Sequence, residues 1–309
     1  MEIPVLSGAD VERAVSPERA VEAVRKAFVA YARGEWTMPP KVYVPAYPAG
    51  DFRAMPALGA GHALLKWVTS FPGNPAHGLP TVTGLVLVSD ATNGMLEAAL
   101  DAAAVTALRT GAAAVLAAET LGRDGTAAVV GAGVNGRAAA RTFVARGWSV
   151  LLHDVDESRA RVVAEELGAG AASRGEALGA DVVVTVTPGK EIVFAEGSLR
   201  PGQHVSLMGA DGPGKAEIAV AEMARVRMFC DDWEQASHNG DLSHAVEADV
   251  LGRGDVTPLG DVLAGSAQGR RAEDEITVFD STGLAIQDLA IALAALERLD
   301  EIDAPRVVL

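Results

Sequence analysis

Lys66 breaks an otherwise apolar, strand-like run, Ala63-Leu-Leu-Lys-Trp-Val68. A lysine there faces solvent, a cleft or a partner charge. An ammonium drawn out of water beside a carbonyl or carboxylate polarises it and exchanges protons with it, and burial lowers its pKa. An edge lysine in water would carry the same pattern. Asp211 lies in Met208-Gly-Ala-Asp-Gly-Pro-Gly-Lys215, just past another apolar run. Ligands of parallel sheets bind beyond the carboxyl ends of strands, so a carboxylate there suits general acid–base work on an amine or water. Aspartate beside glycine is also ordinary turn chemistry. Arg109 sits among small apolar residues in Thr106-Ala-Leu-Arg-Thr-Gly-Ala112. Its guanidinium fork suits a phosphate or carboxylate, and a surface arginine laid along its helix would read the same way.

A stronger pattern lies at the centre of the chain. Thr126-Ala-Ala-Val-Val-Gly-Ala-Gly-Val-Asn-Gly-Arg137 runs from a β-type segment through a glycine turn into an alanine-rich helix, and a second apolar run ends in Leu151-Leu-His-Asp154. Gly131, Gly133 and Gly136 fit G-x-G-x-x-G in its proper strand–turn–helix setting. The first glycine permits the tight turn, the second admits a pyrophosphate, and the third lets helix and strand pack closely. The helix N-terminus offers unpaired N–H groups to phosphates. Asp154 would accept hydrogen bonds from an adenosine ribose and repel a 2′-phosphate, so the cofactor expected is NAD rather than NADP. Arg159 could soften that preference, but its place on a helix reads as a solvated charge.

These groups need elements to hold them. Ser16-Pro-Glu-Arg-Ala opens a helix with a capping serine and a first-turn proline, with Val21, Val24, Phe28 and Tyr31 on one face and Gly34 to end it. Residues 62–71 and 81–89 read as strands, Asp90-Ala-Thr-Asn-Gly94 as a turn, and Asp101 as the cap of a long helix to about Thr120. From Thr126, strand-like runs at 126–130, 148–153, 181–187, 204–208, 225–230 and 276–279 alternate with helices or loops, the signature of a parallel sheet with crossovers. A last amphipathic helix spans Gly283 to Leu299. The predicted class is α/β: a Rossmann-type parallel-sheet dinucleotide domain over 120–284, and an N-terminal α/β domain over 1–119 joined by 285–309.

Composition narrows the function further. A chain of 309 residues suits two domains, and 49% hydrophobic residues supply ample core. A net charge of -15 argues against nucleic acid or an anionic membrane as partner. The single Cys230 excludes an internal disulfide and fits a reducing compartment. The histidines lack metal-ligand spacing, so no metal is expected. The N-terminus shows no signal-peptide pattern and no uncharged run is long enough to cross a bilayer, which reads as cytoplasmic.

Taken together, several segments resemble the ornithine cyclodeaminase/mu-crystallin family, and within it the archaeal-type alanine dehydrogenases. The telling pieces are Met38-Pro-Pro-Lys-Val-Tyr43, Gly50-Asp-Phe-Arg-Ala-Met-Pro56, Leu65-Lys-Trp-Val68, Pro72-Gly-Asn-Pro75, Gly78-Leu-Pro-Thr81 and Arg109-Thr-Gly111. Gly209-Ala-Asp-Gly-Pro-Gly-Lys215, Asp231-Asp-Trp-Glu-Gln235 and Glu275 through Asp288 complete the set. The resemblance implies a homodimer whose N-terminal domain supplies dimer contacts and much of the substrate site. It implies that Lys41 and Arg109 hold a substrate carboxylate, Arg109 also reaching the cofactor. Lys66 would contact the reacting amino or carbonyl group, and Asp211 would give and take the proton. Thr81, Val134, Asn135, Asp154, Thr187, Met208, Lys215 and Ser281 match cofactor positions, and Thr282 a substrate-side position. The implied activity is NAD-dependent oxidative deamination of L-alanine to pyruvate and ammonia, with ornithine cyclodeamination or reduction of a cyclic imine as alternatives. Lys41 stands where cyclodeaminases tend to have arginine, which removes a bidentate fork and weakens the ornithine reading. Asn135 replaces a more usual glutamine and Asp241 a more usual glutamate.

Overall fold

The computed structural model describes residues 2–189, 191–210, 212 and 214–309. The chain divides into two compact units, Met1–Arg109 with Leu284–Leu309, and Thr110–Gly283. The first opens with β1 (Glu2–Leu6), α1 (Gly8–Ala14) and α2 (Pro17–Ala32). Ser16 caps α2 through the Arg19 N–H, and Pro17 fills the first helical position, where a missing N–H costs nothing. Val21, Val24 and Phe28 are fully buried, whereas Tyr31, expected on the same face, is only half-buried. Gly34 closes the helix at φ +71.

An antiparallel meander follows: β2 (Val42–Ala46), β3 (Gly50–Gly59), β4 (His62–Ser70), β5 (Val82–Asp90) and β6 (Leu96–Asp101). Lys66 pairs with Met55 on one side and Val86 on the other. All three point to the same, inner face because facing residues on neighbouring strands share a side. α3 (Ala102–Leu121) starts where Asp101 Oδ1 accepts the Ala104 N–H at 2.7 Å. It is long and apolar enough to cross a membrane by length and composition, but 78% of that stretch is buried inside the protein.

The second unit is a doubly wound parallel sheet. Its elements run β7 (Thr126–Val130), α4 (Val134–Ala145), β8 (Ser149–His153), α5 (Glu157–Leu167), β9 (Gly170–Ala171), α6 (Arg174–Leu178), β10 (Val182–Thr185), β11 (His204–Leu207) and α7 (Val220–Met223). Then come β12 (Arg227–Cys230), α8 (Trp233–Asn239), α9 (Leu242–Glu247), β13 (Val256–Pro258), α10 (Leu259–Leu263) and β14 (Thr277–Asp280). The strand order is β13-β12-β14-β11-β10-β7-β8-β9, and every pairing is parallel. From β7 the chain works outward through β8 and β9, then crosses back to β10 on the other side of β7. That reversal between β7 and β10 is the switch point at which such sheets bind ligands. Val183, Val205, Leu207, Met228, Phe194 and Ile218 build the core on one face.

The chain then returns to the first unit as α11 (Ala285–Leu296) and β15 (Arg306–Val308), giving the sheet order β15-β1-β6-β5-β4-β3-β2. α11 packs against α2, β3, β4 and β5. The opposite face of the meander stays bare and apolar: Val42, Val44, Leu58, Leu65, Trp67 and Leu85 are all exposed. Phe52 stacks on Trp67 there, with ring centroids 5.7 Å apart.

Candidate active site

Lys66 is buried, with 1% of its side chain exposed. Its Nζ donates to Asp288 Oδ1 at 2.9 Å and to Thr106 Oγ1 at 2.6 Å. Thr106 in turn donates to the Ala102 carbonyl, so its lone pair is aimed at the amine. Arg109 lies one helical turn along α3, with its Nε 3.8 Å from the same Asp288 oxygen. It is 12% exposed at the side chain, so it is not the water-facing arginine that the small-residue helix also allowed. Burial pushes the Lys66 amine down to about 8; Asp288 opposes that, while Arg109 and Arg53 add to it. Arg53 is itself buried, paired with Asp51 at 2.6 Å and set over the Tyr43 ring at 5.3 Å. The first unit thus buries two cations, Lys66 and Arg109, on one carboxylate. That array carries spare positive charge and suits an anionic ligand group. Lys41 precedes β2 and is half-buried. Thr81 precedes β5, and its carbonyl accepts the Phe71 N–H at 2.8 Å.

In the second unit the glycine turn is built for close approach. Gly131 has φ +107, and a Cβ there would meet the Val186 carbonyl at 2.7 Å, on the turn after β10. A Cβ on Gly136 would fall 1.7 Å from the Gly131 carbonyl. Gly133 differs: a Cβ would meet nothing within 4 Å. Gly133 is also the N-cap of α4 and makes no side-chain cap. Open space in front of uncapped N–H groups fits a pyrophosphate. Val134 and Asn135 begin that helix, Val134 being 72% exposed.

Asp154 directly follows β8 and is buried. Its Oδ2 accepts the Ala132 N–H of the glycine turn at 2.6 Å, and its Oδ1 accepts the Asp156 N–H at 2.9 Å. Arg159 is solvent-exposed, as its place on a helix predicts, but it also has a partner. It grips both Asp154 oxygens, at 2.6 and 3.2 Å, because one turn of α5 brings it back over the strand end. Burial raises the Asp154 carboxyl, but bonds from Arg159, Ala132 and Asp156 outweigh it and hold the group below its ordinary value.

Thr187, Met208, Ser281 and Thr282 lie just past the carboxyl ends of β10, β11 and β14, and buried acids fasten these turns. Glu217 accepts the Thr187 N–H and hydroxyl on one oxygen, and the Thr185 hydroxyl and Gly209 N–H on the other. Asp241 Oδ1 accepts the N–H groups of Glu217 and Ile218. Asp231 takes the Gly283 N–H at 2.8 Å and the hydroxyls of Ser281 and Thr282. Lys215 is half-buried, and its carbonyl accepts from His244 Nε2. Asp211 lies outside the described residues. Among the described residues no cluster of histidine, cysteine or carboxylate could hold a metal. Sequence reasoning gave no role to Asp288, Thr106 or Glu217. A lone acid within the apolar Ala285-Ile-Gln-Asp-Leu-Ala290 is the same kind of anomaly as Lys66 and was the available signal for Asp288.

With this geometry in view, comparison with known proteins decides the family. The model of the ornithine cyclodeaminase/mu-crystallin family matches residues 1–302. The chain belongs to this family. It is 41% identical over 308 residues to the alanine dehydrogenase of Archaeoglobus fulgidus, covering 96% of this chain and 95% of that protein. The solved structure of an archaeal alanine dehydrogenase dimer with bound NAD superposes with a TM-score of 0.91 at 40% identity, covering 100% of this chain and 99% of that one. The Thermococcus litoralis Δ1-pyrroline-2-carboxylate reductase, solved with NADH and L-proline, gives a TM-score of 0.90 at 27% identity, covering 97% and 98%. Members of this family are NAD-dependent enzymes acting on amino acids or imines.

Proposed function

We propose that this chain is an NAD-dependent dehydrogenase that interconverts L-alanine and water with pyruvate and ammonia. The observation that carries the reading is the buried Lys66–Asp288–Arg109 array with its surplus positive charge. The end-to-end identity of 41% with an alanine dehydrogenase supports alanine over a longer or cyclic substrate. Gly131, Gly133, Val134, Asn135 and Gly136 would cradle the NAD pyrophosphate, and Asp154 the adenosine ribose. Thr81, Arg109, Thr187, Met208, Lys215 and Ser281 would complete the cofactor contacts.

When bound, NAD accepts the hydride from the substrate Cα; the protein supplies binding, orientation and proton handling. Lys41 and Arg109 hold the carboxylate, with Thr282 on the substrate side. Fixing the carboxylate at two points and the amino group at Lys66 leaves the Cα hydrogen one direction to face, an orientation effect. Loss of hydride from the neutral amine leaves an iminium. Asp211 takes a proton from water as it attacks the iminium carbon, giving a neutral carbinolamine, and the Lys66 ammonium donates a hydrogen bond to the developing oxygen. Asp211 returns that proton to the nitrogen, and ammonia leaves as the carbinolamine hydroxyl gives its own proton to solvent, leaving pyruvate. Reductive amination uses the same groups in reverse. The bare apolar face of the meander is the surface on which two copies would pair as a homodimer.

The test is NADH absorbance with purified protein, NAD and L-alanine, with L-ornithine in parallel. Steady NADH formation with alanine supports the proposal. Ammonia and proline from ornithine without net NADH would replace it with a cyclodeaminase. Oxidation of NADH by a cyclic imine, with silence on both amino acids, would replace it with an imine reductase.

A further inference from the structure

Asp288 has no role in the reaction as proposed, yet among the described residues it is the one carboxylate paired with Lys66. Its Oδ1 binds the ammonium, whereas its Oδ2 is buried and accepts no hydrogen bond. Arg109 Nε, facing the same carboxylate, donates to none. A buried pair built for stability would satisfy all its atoms, since each unmet one costs free energy. An ammonium carries three N–H groups. Asp288 and Thr106 take one each, and among the described residues the third has no partner, which leaves it to meet a ligand.

We propose that Asp288 is the positioning residue for Lys66: its carboxylate locks the ammonium in a single orientation, aims the remaining N–H, and supplies the negative charge that keeps the amine protonated at the working pH. Among the described residues the groups facing Lys66 are few. Asp288 comes from α11, Thr106 and Arg109 from α3, and Arg53, with its own partner Asp51, from β3. Met55 and Val86 flank it across the strands and are apolar. Among the described residues Asp288 is the one acid set against burial and two arginines, and the balance holds the amine at about 8. Without it the amine would lose its proton at a lower pH, and both N–H direction and charge would be lost together.

This role rests on Lys66 serving the reaction proposed above, but the first measurement does not depend on that reaction. The chain has five lysines, Lys26, Lys41, Lys66, Lys190 and Lys215. Isotope-labelled lysine side chains therefore give few NMR signals, and Lys66→Arg identifies the one of interest. In Asp288→Asn the Lys66 titration midpoint falls by about one pH unit or more. In Asp288→Glu, which keeps the charge but moves it by a methylene, the midpoint stays near the native one and the Lys66 signal shifts. Turnover of L-alanine then falls about tenfold in Asp288→Glu, with KM for NAD unchanged. In Asp288→Asn the alkaline limb of the rate profile moves down with the lysine midpoint. A Lys66 midpoint unmoved by Asp288→Asn overturns the proposal, even if activity is lost. Should that variant fail to fold, a Lys66 signal unmoved in Asp288→Glu overturns it. A shifted midpoint in a protein that turns over no alanine leaves the Asp288 clamp standing and removes the alanine reading instead.

Discussion

A buried amine beside one carboxylate and two arginines owes its charge to the carboxylate, and this makes Lys66 sensitive to pH. Its folded value of about 8 lies below the ordinary 10.5. If the ammonium polarises the reacting group, kcat/KM for L-alanine holds level below pH about 8 and falls about tenfold per unit above it. Lys66→Met removes that limb and lowers kcat/KM by roughly a thousandfold, while NAD titrated against protein fluorescence binds as before. A variant with near-native turnover would end the assignment. Much of this cluster was legible from residue types: Lys66 and Arg109 stood out because charges are rare in apolar segments. Their partner did not, since Asp288 lies 222 residues from Lys66 and only the packing of α11 on the meander joins them. The pairing of the exposed Arg159 with Asp154 was hidden for a local reason. The spacing of Arg159 from Asp154 is that of any helix-surface charge, and whether the strand end curls toward the helix is not written in either residue.

At the scale of elements, the glycine turn separates folding from binding. Gly136→Ala drives a Cβ into the Gly131 carbonyl at 1.7 Å. It should destabilise the second unit by about 3 kcal/mol or more, read as a lower denaturant midpoint. Gly133→Ala meets nothing within 4 Å. It should leave stability within about 0.5 kcal/mol of native, yet weaken NAD about tenfold by filling the space in front of the helix N-terminus. Equal losses of stability in the two variants would mean that the space at Gly133 is not held open for a ligand. The parallel sheet was readable because its strands are buried on both faces and run as unbroken apolar stretches. β9 and β13 escaped notice because two or three residues at a sheet edge need no such stretch. β2 and β3 escaped for another reason. Pro45 interrupts β2, and Asp51 and Arg53 pair with each other on the inner face of β3, where the apolar half of the alternation belongs.

The whole molecule carries a net charge of -15, but some of its buried acids hold their protons to higher pH when folded. Burial and the neighbouring Glu217 raise Asp241 to about 7, and burial with Asp241 nearby raises Asp280 well above its ordinary value. Such acids bind more protons folded than unfolded. The stability they contribute is therefore present at low pH and lost as pH rises from about 4 to about 7 for Asp241, at about 1.4 kcal/mol per unit per proton. Asp241→Asn mimics the protonated acid, so its melting temperature should gain on the native protein across that window and run parallel above it. A pH-independent difference would show Asp241 ionised in the fold. The same net charge bears on assembly, because two copies with -15 each repel and must gain more from apolar burial than they lose. Leu65, Trp67 and Leu85 offer that burial at the centre of the bare sheet face, flanked by Val42, Val44 and Leu58. A lysine at Trp67 would be left unpaired at the middle of such an interface, where truncation of a central aromatic alone costs about 2 kcal/mol or more. Trp67→Lys should therefore sediment as a monomer at concentrations where the native chain is a dimer. Its Lys66 titration should stay unchanged, since Trp67 points to the opposite side of β4. Raising the salt should tighten the native dimer by screening the like charges, and it should not rescue the variant. A Trp67→Lys protein that remains dimeric would move the pairing surface off this sheet.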